Sequence, residues 1–119
     1  MRLAFALIVV LLVAGCGVPH ELSKQADEVH SVAAEGMLLA HDAGEGSTTS
    51  TFAREHSKAL RKLLGKLEPA IENPRLSELA QKVDQALEQL GDDPGDRARA
   101  RQLERQLDEA AKAADELAG

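Results

Sequence analysis

Four histidines (His20, His30, His41 and His56), one internal methionine (Met37) and a single cysteine (Cys16) are the side chains of this 119-residue chain most readily put to chemical use. On a helical wheel His30, Met37 and His41 fall within about 40° of one another, at the edge of an apolar stripe. Met37 and His41 are one turn apart, a spacing at which a thioether and an imidazole can share a soft ion such as Cu(I). His30 lies about 16 Å along the helix from His41 and cannot join the same mononuclear centre. His56 is placed on the inward side of its own helix, between Phe52 and Ala59, facing the small residues Gly36 and Ala40. There it reads as a ring accommodated where the partner helix leaves room, or as a lone ligand or pH-sensitive group. Two ligands one turn apart do not make a closed coordination set, so no metal residue is assigned and no cofactor is expected. Metal binding stays as the alternative reading of the chain. The sequence carries no Ser-His-Asp order, paired-carboxylate spacing or glycine-rich phosphate loop, and its hydroxyl run, Ser47 to Thr51, sits where a helix cap is needed. An enzyme is not expected.

Charge patterning supplies a second lead. Arg54, Lys58, Lys62 and Lys66 recur every four residues, joined by Arg61, with Glu55 the only acid among them. Such a row is either a solvated face that pairs with acids on adjacent helices, such as Glu78, Asp84 and Glu88, or a docking strip for an anionic partner. The partners that suit it are phospholipid headgroups, an acidic envelope polymer or an envelope protein. Arg97, Arg99, Arg101 and Arg105 form another basic group, opposite in sign to what the start of a helix prefers, but interleaved with Asp92, Asp93, Asp96, Glu104, Asp108 and Glu109.

Cys16 owes its interest to what precedes it. Arg2 is followed by an apolar run from Leu3 to Ala14, then Gly15, which is the order of an export signal. Even extended to Val18 the run falls short of the roughly 20 residues a membrane span requires. The segment Val13-Ala14-Gly15-Cys16 resembles the lipobox of bacterial lipoproteins: an aliphatic residue, a small residue, Gly or Ala, then Cys. That resemblance covers the first sixteen residues. It implies a diacylglyceryl group on the Cys16 sulfur, cleavage between Gly15 and Cys16, and attachment outside the cytoplasm, to the cell membrane or, in a cell with two membranes, the outer one. Two or three acyl chains on one cysteine anchor stably, since each buried methylene contributes about 0.8 kcal/mol. The chain accordingly divides into a signal peptide at residues 1–15, a lipidated cysteine and short tether at 16–19, and a domain at 20–119.

Removing residues 1–15 leaves thirteen Lys and Arg against twenty Asp and Glu, an acidic balance that argues against nucleic acid as a partner. With Cys16 lipidated no disulfide is available, and Phe52 is the one aromatic residue of the mature part. Its core must therefore be made of Leu, Val, Ile and Ala. Leu22, Ala26, Val29, Ala33, Gly36, Ala40 and Ala43 alternate spacings of four and three, a narrow helical seam widened by Val32 and Leu39 and stopped by Gly44 and Gly46. A second helix, from about Thr51 to Leu67, is predicted to turn Phe52, Ala59, Leu60, Leu63, Leu64 and Leu67 inward and to end near Pro69. Asn73-Pro74 opens a third, with Leu76, Leu79, Ala80, Val83, Leu87 and Leu90 on one face, closing at Gly91. Asp93-Pro94 repeats that start signal for a fourth, carrying Ala100, Leu103, Leu107, Ala110, Ala114 and Leu117. The fold expected is all-α, an up-down-up-down four-helix bundle with long first and last helices and shorter middle ones. The longer pair should overhang by about 11 Å on the side of Cys16, making a post held close to the bilayer. The function read from the sequence is that of a lipid-anchored envelope lipoprotein, non-enzymatic, serving as a structural or protein-interaction module.

Overall fold

The computed structural model describes residues 20–119; the signal segment 1–15, the cleavage junction at Gly15 and Cys16, and the tether 16–19 lie outside the described residues. Four helices make the fold: α1 (His20–Glu45), α2 (Ser50–Leu67), α3 (Pro74–Asp92) and α4 (Arg97–Ala118), with a 3-10 turn, Glu68–Ala70, continuing α2. Among the described residues there is no strand. The chain runs up, down, up and down: partners on α4 fall in number as those on α1 rise, from Ser23 Oγ donating to the Ala118 carbonyl (2.8 Å) to Arg101 Nη2 donating to the Gly44 carbonyl (3.4 Å). At 26 and 22 residues α1 and α4 exceed α2 and α3, at 18 and 19.

Local chemistry sets the ends. Thr49 Oγ1 accepts from the Phe52 amide (3.1 Å), Asn73 Oδ1 from Leu76 (3.0 Å) and Asp96 Oδ1 from Arg99 (3.0 Å), each satisfying an amide that the first helical turn leaves free. Pro74 fits the first turn of α3, where its missing N–H costs nothing. Gly46, at φ 71°, stops α1: the Ser47 amide reaches back to Asp42 O (2.8 Å) and the Gly46 amide to Ala43 O (3.2 Å), a Schellman closure that needs a left-handed residue. Gly44, expected to share that role, is instead buried inside the helix, where a β-carbon would lie 3.0 Å from Arg101 Cγ. Similarly, Gly91 does not close α3, which continues to Asp92.

Packing follows from side-chain size. On α1 the buried face includes Ala26, Ala33, Gly36, Ala40 and Ala43, and on α4 Ala100, Ala110, Ala111 and Ala114. Small residues let two helices approach closely, and the α1–α4 contact is the most extensive in the bundle. The other half of the core is leucine: Leu60, Leu64, Leu76, Leu87, Leu90, Leu103 and Leu107 are all essentially inaccessible to solvent. The faces expected of α1, α3 and α4 are the ones buried.

The expected face of α2 is buried only in part: Leu60 and Leu64 are, and Leu67 packs half-buried against the core. Its buried residues are Ala53, Ser57, Leu60 and Leu64, whereas Phe52 and Leu63 are 57% and 54% exposed and Ala59 is also outside. At 100° per residue this is a rotation of roughly 70° toward α3. Two contacts favour it: Arg61 engages Asp84 on α3, and Gly91 leaves room for Ser57, a β-carbon there being 3.4 Å from Ser57 Cβ.

Gln25 Nε2 donates to the Ala70 carbonyl (3.0 Å), setting the α2–α3 connection beside the second turn of α1. Glu21 and Leu22 border one cleft with Ala70, Glu72 and Asn73, so the connection reaches the first turn of α1 and the expected overhang of about 11 Å is not found among the described residues.

A β-carbon on Gly36 would lie 2.9 Å from Leu87 Cδ2 and 3.4 Å from Leu107 Cδ1, whereas one on Gly65 meets nothing within 4 Å. Gly36→Val is expected to destabilise by about 2 kcal/mol through overpacking, and Gly65→Ala to stabilise by about 0.5–1 kcal/mol through the unfolded chain's lost freedom. Thermal melts followed by circular dichroism check both, with shifts of opposite sign.

Candidate functional site

The outer face of α2 joins a row of cations to two of the three exposed large apolar side chains, Phe52 and Leu63; the third, Leu38, is on α1. Arg54, Lys58, Lys62 and Lys66 are all exposed, and none forms an ion pair with any described residue. They extend about 18 Å along the helix. Beside them run Phe52, Ala59 and Leu63, turned out by the rotation of α2. The helix as a whole holds five Lys and Arg against one acid, Glu55, while α1 holds six acids against Lys24.

Arg61, grouped with that row on spacing alone, is committed elsewhere. Its Nε donates to Asp84 Oδ1 (3.0 Å), and its Nη2 to Asp84 Oδ2 (3.4 Å) and Glu88 Oε2 (3.4 Å). The hydrogen bond to Asp84 holds the guanidinium pKa above its ordinary value, against a smaller opposing effect of burial and with the nearby carboxylate charges adding to it. Of the acids named as pairing partners on sequence grounds, Asp84 and Glu88 serve; Glu78 instead pairs within α3, with Arg75 (3.6 Å) and Lys82 (3.2 Å). The five-residue strip is therefore a four-residue strip with a structural neighbour.

Between α2 and α3 a cleft of about 310 Å³ is bordered by Arg54, Lys58 and Arg61 on one side and Glu88 and Asp92 on the other. Its charges nearly cancel. Ser57 borders it from beneath, 2% exposed, its hydroxyl the one buried side-chain polar atom among the described residues with no hydrogen-bond partner.

The histidines are dispersed. His30 Nδ1 lies 2.7 Å from the Ala111 carbonyl; a carbonyl only accepts, so Nδ1 carries the proton and donates. His41 Nδ1 is 3.2 Å from Glu104 Oε1, and Met37 is half-buried against the core. His56, expected to face Gly36 and Ala40, stands at the rim: 38% of its side chain is exposed, its ring stacks on Phe52 at 5.4 Å, and Nε2 is 4.0 Å from Glu35 Oε2. The same rotation that exposes Phe52 carries it there. Among the described residues no group of three or more His, Cys, Asp or Glu is arranged to hold a metal ion.

The basic start of α4 serves the ends of its neighbours. Arg101 reaches the Gly44 carbonyl, Arg97 covers Gly46, and Arg99 Nη2 donates to Gln89 Oε1 (2.6 Å) near the end of α3. Spacing alone did not announce this. The signal is that three of the four arginines, Arg97, Arg99 and Arg101, oppose their own helix dipole and fall beside the ends of antiparallel partners.

The fold and this face define a small helical bundle with one basic, partly apolar flank. Comparison with protein-family models, curated proteins and solved structures returns no match to the chain.

Removing the unpartnered buried hydroxyl by Ser57→Ala is expected to raise stability by about 1 kcal/mol. Arg61→Ala is expected to lower it by about 0.5–1 kcal/mol, the range of a partly exposed ion pair, while Lys62→Ala stays within about 0.5 kcal/mol of the parent. Urea denaturation midpoints of the three variants check these values.

Proposed function

We propose that this chain is a lipid-anchored lipoprotein of the cell envelope, held outside the cytoplasm through Cys16, whose bundle acts without catalysis as a structural or protein-interaction module. The observation that carries the reading is the order Arg2, apolar run, Val13-Ala14-Gly15-Cys16, placed four residues before the first turn of the bundle at His20. The unpaired basic row of α2 supports the interaction half, because four cations without partners on an acidic protein favour an anionic neighbour. No described helix is long and apolar enough to cross a membrane, so acyl chains on Cys16 would provide the attachment.

Intact-mass analysis of the protein from its native host is expected to show a chain beginning at Cys16 and bearing a diacylglyceryl group. Cys16→Ser is expected to abolish acyl incorporation and to leave residues 1–15 attached. An unmodified thiol with Met1 retained overturns the proposal.

A further inference from the structure

An interfacial helix, one that lies in the plane of a bilayer surface, needs Phe or Leu on one part of its exposed face and Lys or Arg on the rest. The outward face of α2 has that composition only because of the rotation described above. Phe52 and Leu63, more than half exposed, flank Ala59 along about 16 Å of helix, and Lys58, Lys62 and Lys66 follow on the adjacent quarter of the surface, with Arg54 continuing the row. Glu55 is the one acid within the helix, and Glu35 of α1 stands at its margin beside His56. Acids of the neighbouring elements border the face: Glu88 and Asp92 across the cleft from Arg54 and Lys58, and Glu68 and Asp84 beside Lys58 and Lys62. Asp84 and Glu88 are engaged by Arg61, however, and the four cations of the row still outnumber Glu55 and Glu68.

The position of the anchor agrees with this face. The bond from Gln25 to Ala70 sets the start of α1 beside the end of α2, and α1 and α2 are packed neighbours. Cys16 precedes His20 by four residues, which span at most about 14 Å when extended. That reach is comparable with the width of a helix, so acyl chains on Cys16 can enter the same surface that α2 touches.

We infer that α2 is a docking surface for a bilayer rich in anionic phospholipid, and that the bundle lies on its side with α2 against the membrane instead of standing as a post. Phe52 and Leu63 enter the headgroup boundary, and Arg54, Lys58, Lys62 and Lys66 sit over the lipid phosphates. The lipid on Cys16 supplies attachment and α2 supplies orientation; the combined picture rests on the lipoprotein reading, but the docking face stands apart from it. A convex helix face with cations along its whole length suits a planar, deformable surface better than a folded acidic protein, which would offer its carboxylates at fixed points.

The chain contains no tryptophan, so Phe52→Trp places a single fluorescent reporter on an already exposed ring position, with Leu63→Trp as an independent second reporter. The mature protein carrying either reporter is added to vesicles of phosphatidylcholine alone and to vesicles rich in phosphatidylglycerol. Emission is expected to move to the blue, and to be quenched by brominated acyl chains, on the anionic vesicles only. The triple variant Lys58→Glu, Lys62→Glu, Lys66→Glu is expected to lose that shift, the interaction weakening by at least about fivefold for each reversed lysine, while its far-ultraviolet circular dichroism is unchanged. Flotation with the phosphatidylcholine vesicles reads the Cys16 anchor separately, so its failure leaves the test of α2 intact. Identical emission on both vesicle types overturns the inference, as does an equal shift produced by soluble polyglutamate, which would point to an acidic protein partner.

Discussion

The close approach of α1 and α4 is the constraint on which the remainder of the bundle depends. Gly36 shows how tight it is: the space a β-carbon would need is filled by leucines from both α3 and α4. Alanines at Ala26, Ala33, Ala40, Ala111 and Ala114 contribute little apolar area each, so this seam works by proximity, through many dispersion contacts between near-bare backbones. The leucines of α2, α3 and α4 then close the other half of the core, where burying apolar area dominates. A protein with one aromatic residue in the described chain obtains its core from these two complementary devices.

Pairing α1 with α4 in opposite directions also resolves an electrostatic conflict. Arg97, Arg99 and Arg101 are unfavourable at the positive end of their own helix, yet that end abuts the carbonyl termini of α1 and α3. Helix ends are completed from different sources: side-chain caps at the starts of α2, α3 and α4, a Schellman closure after α1, and Arg101 donating to the Gly44 carbonyl from across the bundle.

α2 is the helix on which competing contacts determine the surface. Its apolar residues cover about 140° of the circumference, and hydrophobicity alone favours centring that arc on the core, with Phe52 and Leu63 buried. The adopted orientation gives up those two side chains to satisfy Arg61 with two carboxylates and to seat Ser57 against Gly91. One consequence is a buried hydroxyl without a partner. The other is a flank on which aromatic, aliphatic and cationic groups share one exposure, the feature that gives the protein a surface unlike the rest of its acidic exterior.

Helix number, order, relative length and the buried faces of α1, α3 and α4 were legible in the sequence, because spacings of three and four admit one inward face and because Asn73-Pro74 and Gly46 act through bonds to residues only a few positions away; the start of α4 was misplaced, since its cap is Asp96 and not Asp93 of Asp93-Pro94. The basic row at Arg54, Lys58, Lys62 and Lys66 was legible for the same reason: a four-residue repeat stays on one side of a helix wherever that side points. What tertiary structure alone decided was which way α2 faces, and with it the places of Phe52, His56, Arg61 and Leu63. That angle depends on Asp84, Glu88 and Gly91, more than twenty residues away, whose charge and missing side chain act on α2 only once the chain has brought α3 alongside it.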